Sequence, residues 1–219
     1  MRDMLLIIVR HGDYGSGYGD EPLSAFGIEQ MQGLRKAINS LVAEKAKKVG
    51  QKEFSSLFFS FSQLKRAIQS AQELRRPGCY IIITDEDYAS RRYIPEPKKI
   101  LEKVLGFADH CGASVVVIVA HGEMPAVIAE TAREFVTQKK FRENLPFVSK
   151  GRGFVVNMGT GEVTPIGWDD YSPDEKLLPA QERESNRPII KAPPRNDQVV
   201  IKGDDIPFGK PANSQGTPA

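Results

Sequence analysis

Five consecutive β-branched residues, Val115-Val116-Val117-Ile118-Val119, constrain the fold of this chain more than any other feature. Valine and isoleucine favour strands. A strand that is apolar at every position is typical of one buried on both faces, as in a parallel sheet covered by helices. We therefore expect residues 115–119 to be a central strand of an α/β sheet.

Strand and helix patterns alternate along the chain up to about residue 167. The other strands are predicted at residues 4–9, 57–59 and 80–83, with a terminal hairpin at residues 154–166. Helical spacing of apolar residues predicts helices that begin near Ser24 and Ser62 as N-caps, one around residues 100–108, and one with Pro125 in its first turn. This alternation predicts a three-layer α/β sandwich, with a mostly parallel central sheet flanked by helices.

The last fifty residues differ in character from the rest. Eight of the fifteen prolines lie beyond residue 170. This stretch cannot bury enough surface to offset the loss of chain entropy on folding. We therefore divide the chain into a domain at residues 1–170 and a mostly disordered tail at residues 171–219. Val199-Val200-Ile201 is the one tail segment that we expect could dock as an edge strand.

Composition excludes several classes of function. The 219 residues carry a formal net charge of +2, which gives no indication of nucleic-acid or anionic-membrane binding. The six-residue apolar run at residues 4–9 is too short for a signal sequence or a membrane span. Cys79 and Cys111 show no metal or redox spacing, and we interpret them as buried thiols. We expect a cytoplasmic protein that binds neither membranes nor nucleic acid.

Two histidines follow predicted strands directly. Arg10-His11-Gly12 comes after the first strand, and His121-Gly122 comes after residues 115–119. Ligands of open α/β sheets bind at the carboxyl ends of the strands. Histidine can act as a nucleophile, and arginine suits phosphate. Either histidine alone would commonly be a hydrogen-bonded structural residue, but two in the same context predict a shared site.

Arg66 follows the second strand at the same edge. If Ser62 caps the helix, Arg66 lies near the helix N-terminus and could form a phosphate clamp with Arg10. An exposed helix face is the alternative for Arg66. Ser24 and Gly27 belong to another capped helix start, where the missing side chain of Gly27 would let the loop after the first strand approach closely.

Four segments together resemble the histidine phosphatase superfamily, which has the phosphoglycerate mutase-like fold. They are Arg10-His11-Gly12, residues 23–30, residues 66–71 and Ala120-His121-Gly122. They occur in the family's order and cover residues 4–122. The resemblance implies that neutral His11 attacks a phosphoryl group and becomes phosphohistidine, which water then hydrolyses. Arg10, Arg66 and a protonated His121 would neutralise the phosphoryl oxygens, with Gly12 and Gly122 lining the substrate pocket and no metal or cofactor needed.

The sequence departs from the family pattern at the general acid. Most members supply a carboxylic acid from a loop after the third strand, and their spacing falls near Ser90 here. Glu86, within Asp85-Glu86-Asp87, is the best candidate, although an acidic turn explains that cluster as well. Glu123 beside His121 is a weaker one. A missing acid would be tolerable for a good leaving group such as phosphohistidine.

Several functions therefore stay open. The leading prediction is a metal-independent phosphatase, with a phosphohistidine protein as one candidate substrate. The alternatives are a phosphomonoesterase for small metabolites that uses Glu86, and a non-catalytic scaffold that binds phosphorylated ligands. The partner in each case is a phosphorylated small molecule or a phosphoprotein, and the oligomeric state is open. Residues that could line the mouth, or simply lie exposed, are Tyr14, Tyr18, Arg91, Arg92 and Lys150.

Overall fold

The structure is a computed structural model that describes residues 4–15, 20–48, 50, 56–60, 62–75, 79, 81–83, 97–141, 144–167 and 200–202. The helices and strands in these ranges are β1 Leu5–Arg10, α1 Ala25–Lys48, β2 Ser56–Ser60, α2 Lys65–Leu74, β3 Ile81–Ile83, α3 Pro97–Cys111, β4 Val115–Ala120, α4 Met124–Thr137, β5 Gly153–Asn157, β6 Val163–Ile166 and β7 Val200–Lys202. None of the described helices is both long and apolar enough to span a bilayer.

The strands form one mixed sheet in the order β6-β5-β1-β4-β2-β3-β7. The five strands from β1 to β7 in this order run parallel, while β5 is antiparallel to both β1 and β6. Apolar residues of α1 and α2 pack on one face of the sheet, and those of α3 and α4 pack on the other. The predicted three-layer α/β sandwich is confirmed.

The apolar run of β1 serves both cores because its side chains alternate between the two faces. Leu6 and Ile8 join the core under α3 and α4, whereas Ile7 and Val9 join the core under α1 and α2. Every residue of β4 is buried in the same way. This double burial explains why neither strand shows an alternation of polar and apolar residues.

Two predicted helix starts are confirmed and one is wrong. The Ser24 hydroxyl accepts a hydrogen bond from the Gly27 amide at 3.0 Å, and Pro125 lies in the first turn of α4. The N-cap of α2, however, is Leu64, and the Ser62 hydroxyl accepts from the Leu64 amide at 3.1 Å instead of capping the helix.

The start of α2 is set by a contact from far away in the sequence. The Lys65 amide donates to Oδ1 of Asp20 at 2.5 Å. A side-chain carboxylate therefore accepts from the first backbone amide of this helix.

The cysteine and tail predictions have mixed outcomes. Both cysteines are free, but Cys111 ends α3 in an exposed position and Cys79 is half-buried, so the interpretation as buried thiols is wrong. β7 docks in parallel beside β3, as expected of the tail's apolar segment. The rest of residues 171–219 lies outside the described residues, so the disordered tail stays a prediction.

Candidate active site

The rings of His11 and His121 meet at the carboxyl edge of the sheet. Arg10 and Ala120 are the last paired residues of β1 and β4. The residues that follow them, His11 and His121, therefore leave the sheet side by side. The His11 amide still donates to the Ala120 carbonyl oxygen at 3.1 Å. The ring centroids lie 4.7 Å apart with the planes tilted by 55°, and both side chains are buried. The sequence prediction that the two histidines share a site agrees with this geometry.

The burial and hydrogen bonding of His11 favour a neutral ring. Its Nδ1 lies 2.7 Å from the Gly12 carbonyl oxygen. A carbonyl oxygen only accepts, so Nδ1 carries the proton and the lone pair stays on Nε2. Burial is the main cause that lowers the pKa of His11 to about 2, and the charge of His121 lowers it further. Arg10 and Arg66 act in the same direction, while the Gly12 hydrogen bond opposes them.

Arg10 is held at the end of β1 by backbone and aromatic contacts. Its Nη1 donates to the Val148 carbonyl oxygen at 3.2 Å, and its guanidinium carbon lies 4.8 Å from the ring centroid of Phe147. Burial lowers the pKa of Arg10; the Tyr14 hydroxyl opposes this effect and Arg66 adds to it. The guanidinium of Arg10 therefore lies within electrostatic range of both side chains.

Arg66 reaches the site of His11 and Arg10 from α2. Its guanidinium carbon lies 4.5 Å from the centroid of the Tyr14 ring, a cation–π contact. The helix is tied to the loop after β1 by Ser70, whose hydroxyl accepts from the Gly12 amide at 3.0 Å and donates to the Arg66 carbonyl oxygen at 2.7 Å. Arg66 and Arg10 thus both lie close enough to His11 to lower its pKa, and their role as a phosphate clamp stays a prediction.

Two glycines allow the loop after β1 to lie against α1. A Cβ built on Gly27 would stand 2.0 Å from the Asp13 carbonyl oxygen, and one on Gly12 would stand 2.7 Å from the Gly27 carbonyl oxygen. Real Cβ atoms do not approach backbone so closely, so only glycine fits without a shift of the chain. The predicted close approach at Gly27 is confirmed.

Asp13 connects this loop to two other segments. Its carboxylate accepts from the Ser24 hydroxyl and from Nζ of Lys150, each at 2.9 Å. Its amide donates to Oε1 of Gln30, also at 2.9 Å. The ammonium of Lys150 lies 4.1 Å from the centroid of the Tyr14 ring. Tyr14 and Lys150 therefore lie at the pocket, as the sequence analysis allowed for.

The segment before β5 lies beside Arg10 and His11, and Lys150 was its only residue among the candidates named from the sequence. The Gly151 amide donates to the carbonyl oxygens of both Arg10 and His11, at 3.2 and 3.1 Å. The Arg10 amide donates to the carbonyl oxygen of Arg152, itself a buried residue, at 2.8 Å. Phe147 is 56% exposed beside Arg10. The one sequence signal was an arginine and two glycines directly before an apolar strand.

The remaining predicted residues have different outcomes. Glu86 lies outside the described residues, as do the mouth residues Tyr18, Arg91 and Arg92. Glu123 is exposed directly before α4. Gly122 has a left-handed backbone, with φ of 52°, while the Gly12 amide is bound to Ser70. Within the described ranges, no three His, Cys, Asp or Glu side chains form a group suited to a metal ion.

Comparison with solved structures retrieves phosphatases. Over 74% of this chain, the structure is similar to 94% of the alpha-ribazole phosphatase from Shigella flexneri, at 16% identity and a TM-score of 0.45. It is similar to 94% of the protein histidine phosphatase SixA complexed with tungstate, over 74% of this chain, at 16% identity and a TM-score of 0.40. Over 74% of this chain, the structure is also similar to 96% of the phosphoserine phosphatase from Entamoeba histolytica in complex with 3-phosphoglyceric acid. The identity is 15% and the TM-score is 0.40.

No protein-family model matches the sequence, and no curated protein matches it either. At such identities and TM-scores, the function has to be inferred from the residues of this chain.

Proposed function

We propose that this chain is a phosphatase of the histidine phosphatase type that works through a covalent phosphohistidine on His11. One observation carries the proposal: a buried, neutral imidazole has its Nδ1 fixed by the Gly12 carbonyl, and three basic side chains surround it. A neutral ring is a nucleophile and a protonated one is not. The basic side chains are Arg10, Arg66 and His121.

In the first step, Nε2 of His11 attacks the phosphorus atom. A P–N bond forms, and the bond to the leaving atom breaks with its electron pair going to that atom. Arg10 and Arg66 neutralise the charge on the phosphoryl oxygens, and His121 donates a hydrogen bond from the adjacent strand end. Phosphoryl transfer depends mainly on such positioning and charge, so we expect turnover without a metal ion.

In the second step, water attacks the phosphorus atom and the P–N bond breaks. Its electron pair returns to Nε2 of His11, and when the leaving group has departed without taking a proton, both protons of the water leave with the phosphate. Nδ1 keeps its proton throughout, so the tautomer held by Gly12 is ready for the next cycle. Phosphohistidine proteins suit this pocket as substrates because imidazole is a good leaving group, and small phosphate esters are the second substrate class.

The experiment is turnover of a phosphohistidine peptide and a panel of phosphate monoesters by the full chain, with and without a chelator. We expect phosphate release that the chelator does not reduce and that His11→Gln abolishes. His110→Gln is the matched control, because His110 lies exposed in the last turn of α3. Phosphate binding without turnover of any substrate would support the scaffold alternative and contradict the proposal.

A further inference from the structure

Tyr14 is surrounded by the groups that carry the proposed reaction. Its ring centroid lies 5.3 Å from that of His11. The Arg66 guanidinium carbon and the Lys150 ammonium nitrogen lie 4.5 and 4.1 Å from the same ring centroid. Its hydroxyl is also close enough to Arg10 to act on that group's pKa. A half-buried phenol therefore adjoins the nucleophile and three cations.

The backbone of Tyr14 is fixed from two sides. Tyr14 forms an isolated antiparallel β-bridge with Leu23. The Leu23 amide donates to Oε1 of Gln69 at 2.7 Å, which ties this bridge to α2. Next to it, Asp13 is bound by Lys150 and Ser24. The ring is thus held at the pocket by the same contacts that join the loop after β1 to α1 and α2.

Cleavage of a phosphate ester needs a proton for the departing oxygen, because an alkoxide is a poor leaving group. The carboxylate of Asp13 is already bound to the Lys150 ammonium and the Ser24 hydroxyl. Glu123 is exposed at the start of α4. The phenol of Tyr14, in contrast, has an O–H group that can donate its proton, and three cations lie beside it.

We propose that Tyr14 is the catalytic residue that donates a proton to the leaving group, a role that rests on the proposed phosphatase function. As the bond from phosphorus to the ester oxygen breaks, that oxygen takes the proton of the Tyr14 hydroxyl. The phenolate that remains lies beside Arg10, Arg66 and Lys150. When water later attacks phosphohistidine, the phenolate takes one of its protons, and the hydroxyl is restored.

This assignment widens the substrate class. A pocket without a donor suits phosphoramidates and other substrates whose leaving group needs no proton. With Tyr14 as donor, the same pocket also hydrolyses phosphate monoesters of ordinary alcohols. The positive charge of Lys150 would lie beside the phenol, because the ion pair with Asp13 holds the ammonium group in that position.

The test compares Tyr14→Phe with the wild-type chain on two substrates, glycerol phosphate and p-nitrophenyl phosphate. Phenylalanine keeps the ring on which Arg66 and Lys150 stack, and removes only the hydroxyl. We expect kcat on glycerol phosphate to fall by about 100-fold or more, the usual size of a lost acid catalyst. Turnover of p-nitrophenyl phosphate should fall far less, since nitrophenolate leaves without a proton, and urea unfolding of the two chains checks that the variant folds.

Equal effects of Tyr14→Phe on the two substrates would overturn the assignment. A selective loss in Glu86→Gln with none in Tyr14→Phe would also overturn it, because the donor would then be the carboxylate. Failure of the wild-type chain on glycerol phosphate, while it still turns over the phosphohistidine peptide, would overturn this role and leave the phosphatase function in place. Turnover that survives His11→Gln would contradict the phosphatase function itself and this role with it. Selective loss in Tyr14→Phe alone supports the proposal.

Discussion

The backbone amide of Gly12 donates a 3.0 Å hydrogen bond to the hydroxyl of Ser70. The same hydroxyl donates to the carbonyl oxygen of Arg66 one helical turn earlier. Gly12 belongs to the loop that carries His11, and Arg66 carries one of the pocket's guanidiniums. One buried hydroxyl therefore fixes the distance between the proposed nucleophile and a group that would bind the phosphoryl oxygens.

Removing this hydroxyl should weaken both the fold and the reaction. Ser70→Ala leaves the buried Gly12 amide without its acceptor, which costs roughly 1–3 kcal/mol of unfolding free energy. We expect kcat to fall as well, because Arg66 loses its connection to the loop. Ser70→Thr keeps the hydroxyl and is the control. Urea unfolding and steady-state kinetics check both effects, and a Ser70→Ala chain as stable and active as Ser70→Thr would disprove this role.

Gly27 should tolerate no side chain. In Gly27→Ala, the new Cβ would meet the Asp13 carbonyl oxygen at 2.0 Å, so the loop or the helix must shift, at a cost of at least about 1–3 kcal/mol. Gly106 is a matched control in α3, because its Cβ would meet nothing within 4 Å. Gly106→Ala should raise stability by about 0.5–1 kcal/mol. Similar melting temperatures for the two variants would contradict the close approach.

Stability should depend on pH through His11. The lowered pKa of His11 means that the unfolded chain binds a proton on this residue below about pH 6.5 while the folded chain does not. The folded state therefore loses stability as pH falls from 6.5 toward the folded pKa of about 2. His11→Gln should remove this contribution. We expect the unfolding free energies of the wild-type chain and of His11→Gln, measured between pH 4 and pH 8, to converge or cross at low pH. A difference that stays constant over this range would refute a neutral His11 ring.

Inorganic phosphate should protect the chain against heat. A ligand that binds only the folded state raises the melting temperature with concentration. Arg66→Ala should lose most of this shift because it removes a guanidinium from the pocket. Arg133→Ala is the control, since Arg133 also stacks on a ring, that of Phe141, at 3.4 Å. Equal protection of both variants would place phosphate binding away from the pocket.

The parts of the site that follow strands could be predicted from the sequence. Apolar runs that end at Arg10 and Ala120 indicate two parallel strands of one sheet, and parallel strands present their carboxyl ends at one edge. The ends of these two runs therefore predict His11 and His121 at the same edge. Gly27 follows from the same reasoning, because a capped helix start after a strand must come close to that strand's loop.

The rest depends on contacts between distant segments, which no local pattern encodes. Asp20 caps α2 from outside the helix, so Ser62 was the wrong choice despite its favourable residue type. Lys150 and Phe147 reach the pocket only because β5 returns antiparallel to β1. The sequence analysis included Lys150 only as a residue that could line the mouth or simply lie exposed, and spacing could not place Phe147.

The most direct measurement is the position of the phosphoryl group on the enzyme during turnover. The full chain is mixed with a phosphorylated substrate, quenched in base, and analysed by mass spectrometry and by NMR of the nitrogen-bound phosphorus. Because Nδ1 of His11 is hydrogen-bonded to the Gly12 carbonyl oxygen, we expect the phosphate on Nε2 of His11. Phosphate on Nδ1, on His121, or on no histidine while substrate is consumed would contradict the account.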